Sequence, residues 1–126
     1  MSTHVLEIPD WHPARLNALL TCHHMKAHRL KKADAEMLAA YALRAGIPKA
    51  SGRRRVRLTI VYPSRRWVAD KDAYWKSLLD GLVKAGLLVD DSPRHLVKDE
   101  EPAYLYERGK KATRVELTDL PDVEGG

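Results

Sequence analysis

Residues 70–91 read DKDAYWKSLLDGLVKAGLLVDD, and the fold turns on how this run divides. Its middle is helical in pattern: Trp75, Leu78, Leu79, Leu82 and Val83 recur at helical spacing, and Gly86 offers a left-handed stop. Its ends are acidic. Asp70 and Asp72 stand two apart, which puts them on different sides of a helix but on one side of extended chain. The helix is therefore expected to start near Asp72, a favoured N-cap residue, with Lys76 one turn further along the same face. Such a helix carries the chain about 20 Å from Asp72 at roughly 1.5 Å per residue. Leu87-Leu88-Val89-Asp90-Asp91, read as an extended return, recovers about 15 Å at roughly 3.3 Å per residue. The expectation is a hairpin that brings its second acidic pair back to its first.

Upstream, Val56, Leu58, Ile60 and Tyr62 alternate with Arg57, Thr59 and Val61, the period of a half-buried strand, which Pro63 ends. Ser64 to Ala69 is then a loop carrying Arg65 and Arg66 into the acidic run. From Ala33, Met37, Leu38, Tyr41 and Ala45 form the stripe of another helix, with Leu30 one turn earlier and Gly46 and Pro48 marking its end. His4 to Ile8 reads as a short strand stopped by Pro9. Tyr104 to Glu107 and Arg114 to Thr118 read as two strands joined around Gly109. This order describes an α+β fold, a small mixed β-sheet with two main helices packed on it. One domain is expected over residues 1–120, followed by a short acidic tail from Pro121 to Gly126.

The chain has 126 residues, 44% of them hydrophobic, enough for one modest core. Its formal charge of +5 is unevenly placed: Arg29, Lys31 and Lys32, then Arg53, Arg54, Arg55 and Arg57, then Arg65 and Arg66. Clusters of this kind suit an acidic partner, most simply nucleic acid, with binding that weakens as salt rises. A charged, solvated surface is the alternative for any one cluster. Cys22 is alone, which excludes an intrachain disulfide and a cysteine zinc cage and fits a cytoplasmic protein. No apolar run approaches a membrane span. His24 and His28 stand four apart but lack a third ligand, so they are read as solvated or phosphate-facing.

Paired carboxylates inside a basic protein point to a cation. Magnesium takes a few carboxylate oxygens and leaves positions for a phosphate and a water, the arrangement used in phosphodiester hydrolysis. The ordinary reading of the same residues is a capped helix with an Asp72–Lys76 surface pair. Beyond these two readings, Arg65-Arg66, Asp70-Lys71-Asp72-Ala73-Tyr74-Trp75-Lys76 and Leu79 through Asp91, with Ala85-Gly86 and Asp90-Asp91 at the end, resemble the RusA family of Holliday junction resolvases. The match is strong over residues 65–91 and looser over Leu105–Leu117 and around Pro13 and Asn17.

The resemblance implies that Asp70, Asp72 and Asp91 bind Mg²⁺, with Mn²⁺ as a substitute, and that Lys76 assists catalysis. It also implies a homodimer that cuts two opposed strands of a four-way junction during DNA recombination and repair. Lys31, Lys32, Arg53, Arg54, Arg55, Arg57, Arg65 and Arg66 would then hold the phosphates of branched DNA. The family commonly has Asn after the second Asp; here that residue is Ala73, which removes a polar group but no ligand. Two other readings stay open: a branched-DNA-binding accessory protein without catalysis, and a basic domain for RNA or another acidic macromolecule.

Overall fold

Arg54–Tyr62 alternates buried and exposed side chains along most of its length and forms the strand on which the rest of the protein is assembled. The computed structural model describes residues 2–13, 24–64, 74–90, 92, 95–98 and 103–121. In chain order the elements are β1 (Thr3–Pro9), α1 (His24–Ala45), β2 (Arg54–Tyr62), α2 (Trp75–Lys84), β3 (Leu96–Lys98), β4 (Ala103–Tyr106) and β5 (Ala112–Asp119). The protein is α+β, with two helices and one mixed five-stranded sheet among the described residues.

The sheet runs β1-β5-β2, and the far side of β2 is shared by β3 and β4. β5 pairs antiparallel with both β1 and β2, whereas β3 lies parallel to Arg54–Val56 and β4 parallel to Thr59–Tyr62. The expected hairpin between the last two strands is therefore absent: β4 and β5 lie on opposite sides of β2. Their connection wraps the end of β2, where Glu107 N donates to Tyr62 O and Gly109 N to Pro63 O. Gly109 holds a φ of 73°, which suits glycine at this turn. Three-residue β3 has too short a pattern to be read from sequence.

One face of the sheet is apolar. Leu6 and Ile8 of β1, Val56, Leu58 and Ile60 of β2, and Val115 and Leu117 of β5 are buried together with Leu38, Trp75, Leu78 and Leu82 of the helices. Pro9 is the last residue of β1 rather than the residue that stops it, a position open to proline because β1 is an edge strand among the described residues.

Among the described residues α1 runs from His24, so the chain is already helical nine residues before the expected start at Ala33. Its inward stripe continues through Leu30, Asp34, Leu38 and Ala42, and the buried carboxylate of Asp34 interrupts the apolar pattern that would have revealed it. α2 begins at Trp75, and the residue capping it is Tyr74, which makes no side-chain capping bond. The expected cap, Asp72, lies outside the described residues. Tyr74 is 2% exposed and sets its ring against His12 at 5.6 Å, so core packing fixes where this helix starts.

The helix ends as expected. Gly86 has a φ of 80°, Gly86 N donates to Val83 O, and Leu87 N donates to Leu82 O, the paired bonds of a Schellman motif. The same bonds correct the expected return segment. Leu88 N also donates to Leu82 O, and Leu87 and Leu88 are buried beneath the last turn, so residues 87–89 bend under the helix instead of running extended along it.

Candidate functional site

Of the residues expected to hold the metal, Asp70, Asp72 and Asp91 lie outside the described residues, as do Arg65 and Arg66. Lys76 is the second residue of α2, in its first turn; its side chain lies outside the described part. The flanks of the site are defined. At one end, His12 Nε2 donates to Val61 O at 2.7 Å and faces Tyr74, two residues after Asp72. At the other, Asp90 contacts Ser92 and His95, and His95 O accepts from Arg54 N at 3.0 Å.

These anchors, Val61 and Arg54, sit at opposite ends of β2, seven residues and about 23 Å apart at roughly 3.3 Å per residue. α2 runs from the first anchor toward the second. Among the described residues, no three His, Cys, Asp or Glu side chains form a group able to hold a metal ion.

Asp90 has an internal role. Its Oδ1 accepts from Ser92 Oγ at 2.6 Å and Ser92 N at 2.8 Å, and His95 Nδ1 lies 3.1 Å away. The Ser92 hydroxyl, then the Ser92 amide, hold the Asp90 carboxyl well below the usual range, at about 2. This is an Asx turn that stabilises the chain entering β3.

The expected phosphate-binding cluster is divided by strand geometry. Successive residues of β2 face opposite sides of the sheet, so four nearby arginines cannot share one surface. Arg55 and Arg57 are exposed on the face opposite the helices, around a hollow of about 170 Å³ shared with Thr3, Glu116 and Thr118. There, Arg57 Nη1 lies 4.0 Å from Glu116 Oε2. Arg54 differs from expectation: it is 2% exposed and turns into the helix-covered layer.

The Arg54 guanidinium donates from Nε to Asp119 Oδ1 at 2.7 Å, from Nη1 to Leu87 O at 3.1 Å and from Nη2 to Pro48 O at 3.0 Å. These bonds tie α2's exit, the α1–β2 connection and the end of β5 together. Arg54 is thus a structural residue rather than a phosphate contact. The Arg54 hydrogen bond, and then that of His4, hold the Asp119 carboxyl below its ordinary value.

On α1, Lys31 is half-buried with Nζ 3.9 Å from Asp80 Oδ2, while Lys32 is exposed. His28 is also exposed. The buried pair Asp34–Ser77 and the anchor Arg54–Asp119 do not stand out as pairs in the sequence. Their signal was present: each places a charged residue at an inward position of an otherwise regular apolar pattern.

No protein-family model matches the chain, and a search of curated proteins finds no match. Among the described residues, no helix is long and apolar enough to cross a membrane.

Proposed function

We propose that this protein is a magnesium-dependent, structure-selective endodeoxyribonuclease of the RusA type, which resolves Holliday junctions by paired nicks as a homodimer. The run Arg65–Asp91 carries the reading: Asp70 and Asp72 come before a helix that holds Lys76 in its first turn and closes at Ala85-Gly86, and Asp90-Asp91 follow it. α2 supplies that helix, buries Trp75, Leu78 and Leu82, and stops at Gly86.

The donor set suits magnesium, because Asp70, Asp72 and Asp91 offer only hard carboxylate oxygens. A bound magnesium ion would neutralise the phosphate and make a water more acidic. Lys76, in the first turn of α2, contributes positive charge where negative charge builds up on the phosphate. Lys31, Lys32, Arg53, Arg55, Arg57, Arg65 and Arg66 hold DNA phosphates, and a homodimer gives each of two opposed strands its own site.

The test is a synthetic four-way junction incubated with Mg²⁺ beside a linear duplex of the same sequence. Symmetric nicks in the junction alone support the reading; an intact junction across metal and salt conditions rejects it. A second reading, a junction-binding protein without catalysis, is favoured by Ala73. Tight junction binding without nicks, unchanged by Asp72→Asn, marks that case.

A further inference from the structure

β2 and β4 run parallel and end together: Tyr62 is the last residue of β2, Tyr106 is the last of β4, and the two stand opposite each other in register. Their rings lie 5.8 Å apart at 48°. Residues paired across two strands point to one side of the sheet. For this row it is the helix-covered side, because two residues back Ile60 lies in the core and Tyr104 packs against it. The cover ends between the two rows. Tyr104 is half-buried, whereas Tyr106 is 36% exposed and Leu105 beside it 43%.

The backbone around the two tyrosines is fixed. Glu107 N donates to Tyr62 O at 3.1 Å, Gly109 N to Pro63 O at 3.3 Å and Lys110 N to Glu107 O at 3.0 Å, so the turn after Tyr106 is bound to the end of β2. Arg108 is exposed in that turn. The carbonyl of Val61, next to Tyr62, accepts from His12, whose ring faces Tyr74 just before α2. The tyrosines therefore stand at the end of the sheet where α2 begins, with Lys76 in its first turn. Carboxyl ends of parallel strands are where open sheets bind ligands. Two aromatic rings held at such an end beside an exposed arginine suit a nucleotide, whose base stacks on an aromatic face and whose phosphate takes a guanidinium.

We propose that Tyr62 and Tyr106 form a platform for an unstacked base at the branch point of the DNA, with Arg108 on the adjoining phosphate. This rests on the junction reading above and deepens it. In a continuous duplex every base is stacked on its neighbours, and taking one out costs free energy that a branch point has already spent in part. The platform thus favours branched DNA over linear duplex. Tyr62, Tyr106 and Arg108 belong neither to the basic clusters nor to the carboxylate set evident in the sequence.

The experiment is equilibrium binding without divalent metal to a four-way junction, to the same junction with abasic sites at the branch-point nucleotides, and to a single-stranded thymidine oligonucleotide. Wild type, Tyr106→Leu and Tyr106→Phe are compared, with thermal melting to confirm that each is folded; leucine keeps an apolar side chain on β4 but no ring. Tyr106→Leu should bind the intact junction about tenfold more weakly, Tyr106→Phe should bind like wild type, and the loss should vanish on the abasic junction. Wild type alone should prefer the intact junction to the abasic one by a similar factor, a comparison that needs no variant. Unchanged affinity of Tyr106→Leu for the intact junction, or an equal loss on both junctions, overturns the platform while leaving DNA binding in place. For Arg108→Ala the magnitude of the log–log salt slope should fall by about 0.7–0.9, and an unchanged slope removes its phosphate contact. Should the wild type not bind the junction, the functional reading fails separately and the oligonucleotide decides the platform. Binding that Tyr106→Leu weakens about tenfold then supports it; equal binding by both proteins, or none, overturns it.

Discussion

Ser77 Oγ donates to Asp34 Oδ2 over 2.5 Å between α1 and α2, with Asp34 only 6% and Ser77 1% exposed. Ser77 directly follows Lys76, so this bond fixes the rotation of the helix turn that presents the proposed catalytic lysine. Removing the hydroxyl leaves a buried carboxyl short of a donor, a loss of about 1–3 kcal/mol. Ser77→Ala is expected to lower the denaturant midpoint accordingly. Asp34→Ala and the double variant complete a cycle, and additive effects would show that the pair is not coupled.

Close approach of the same helices sets a second expectation. A Cβ on Gly81 would stand 2.7 Å from Leu38 Cδ1, and Leu38 is fully buried at 0% exposure, with little room to yield. Gly81→Ala gains helix propensity but overpacks the contact, and about 1–3 kcal/mol of destabilisation is expected from the steric term. A rise in thermal midpoint would contradict this.

The Arg54–Asp119 anchor predicts a pH dependence. The folded pKa of Asp119 is depressed, first by the Arg54 hydrogen bond. Its contribution is complete above the unfolded value, near 3.9, and is lost as pH falls through the lower folded value. Asp119→Asn should therefore be less stable than wild type at neutral pH, by about 1–3 kcal/mol once the screening of a side chain that is 43% exposed is allowed for. Below about pH 4 the two stability curves should converge. Parallel curves down to acid would rule out the anchor as their cause.

Gly86 offers a local test of the Schellman closure. Its φ of 80° strains any residue with a Cβ, and Gly86→Ala also presses on Lys49. About 1–2 kcal/mol of destabilisation is expected by denaturant unfolding. A neutral result would mean that the turn relaxes easily.

Much of this fold is written in simple periods. Leu78 and Leu82 before Gly86 specify α2 and its end, and the alternation around Leu58 specifies β2. What escaped the pattern has physical causes. Asp34 and Arg54 are charged residues at inward positions, acceptable only because Ser77 and Asp119 meet them from distant parts of the chain. The separation of β4 from β5 depends on both preferring β2 as a partner, and a short connection around Gly109 does not encode that choice. At the proposed site, residue types were legible as chemistry, but the extended return was not realised: Leu87 and Leu88 fold under α2 because burying them outweighs extending the chain.

Lys76 supplies a kinetic prediction. If its charge stabilises the transition state, Lys76→Ala should reduce the cleavage rate about 100-fold or more with junction affinity nearly unchanged. A loss confined to binding would reassign Lys76 to phosphate contact.

The most direct measurement compares wild type and Asp72→Asn on a four-way junction, with binding and strand cleavage followed in the same Mg²⁺ titration. The account predicts paired symmetric nicks that require the metal in wild type, and in Asp72→Asn an intact junction still held by the protein. Equal cleavage by both proteins, or no metal-dependent cleavage by wild type, would contradict it.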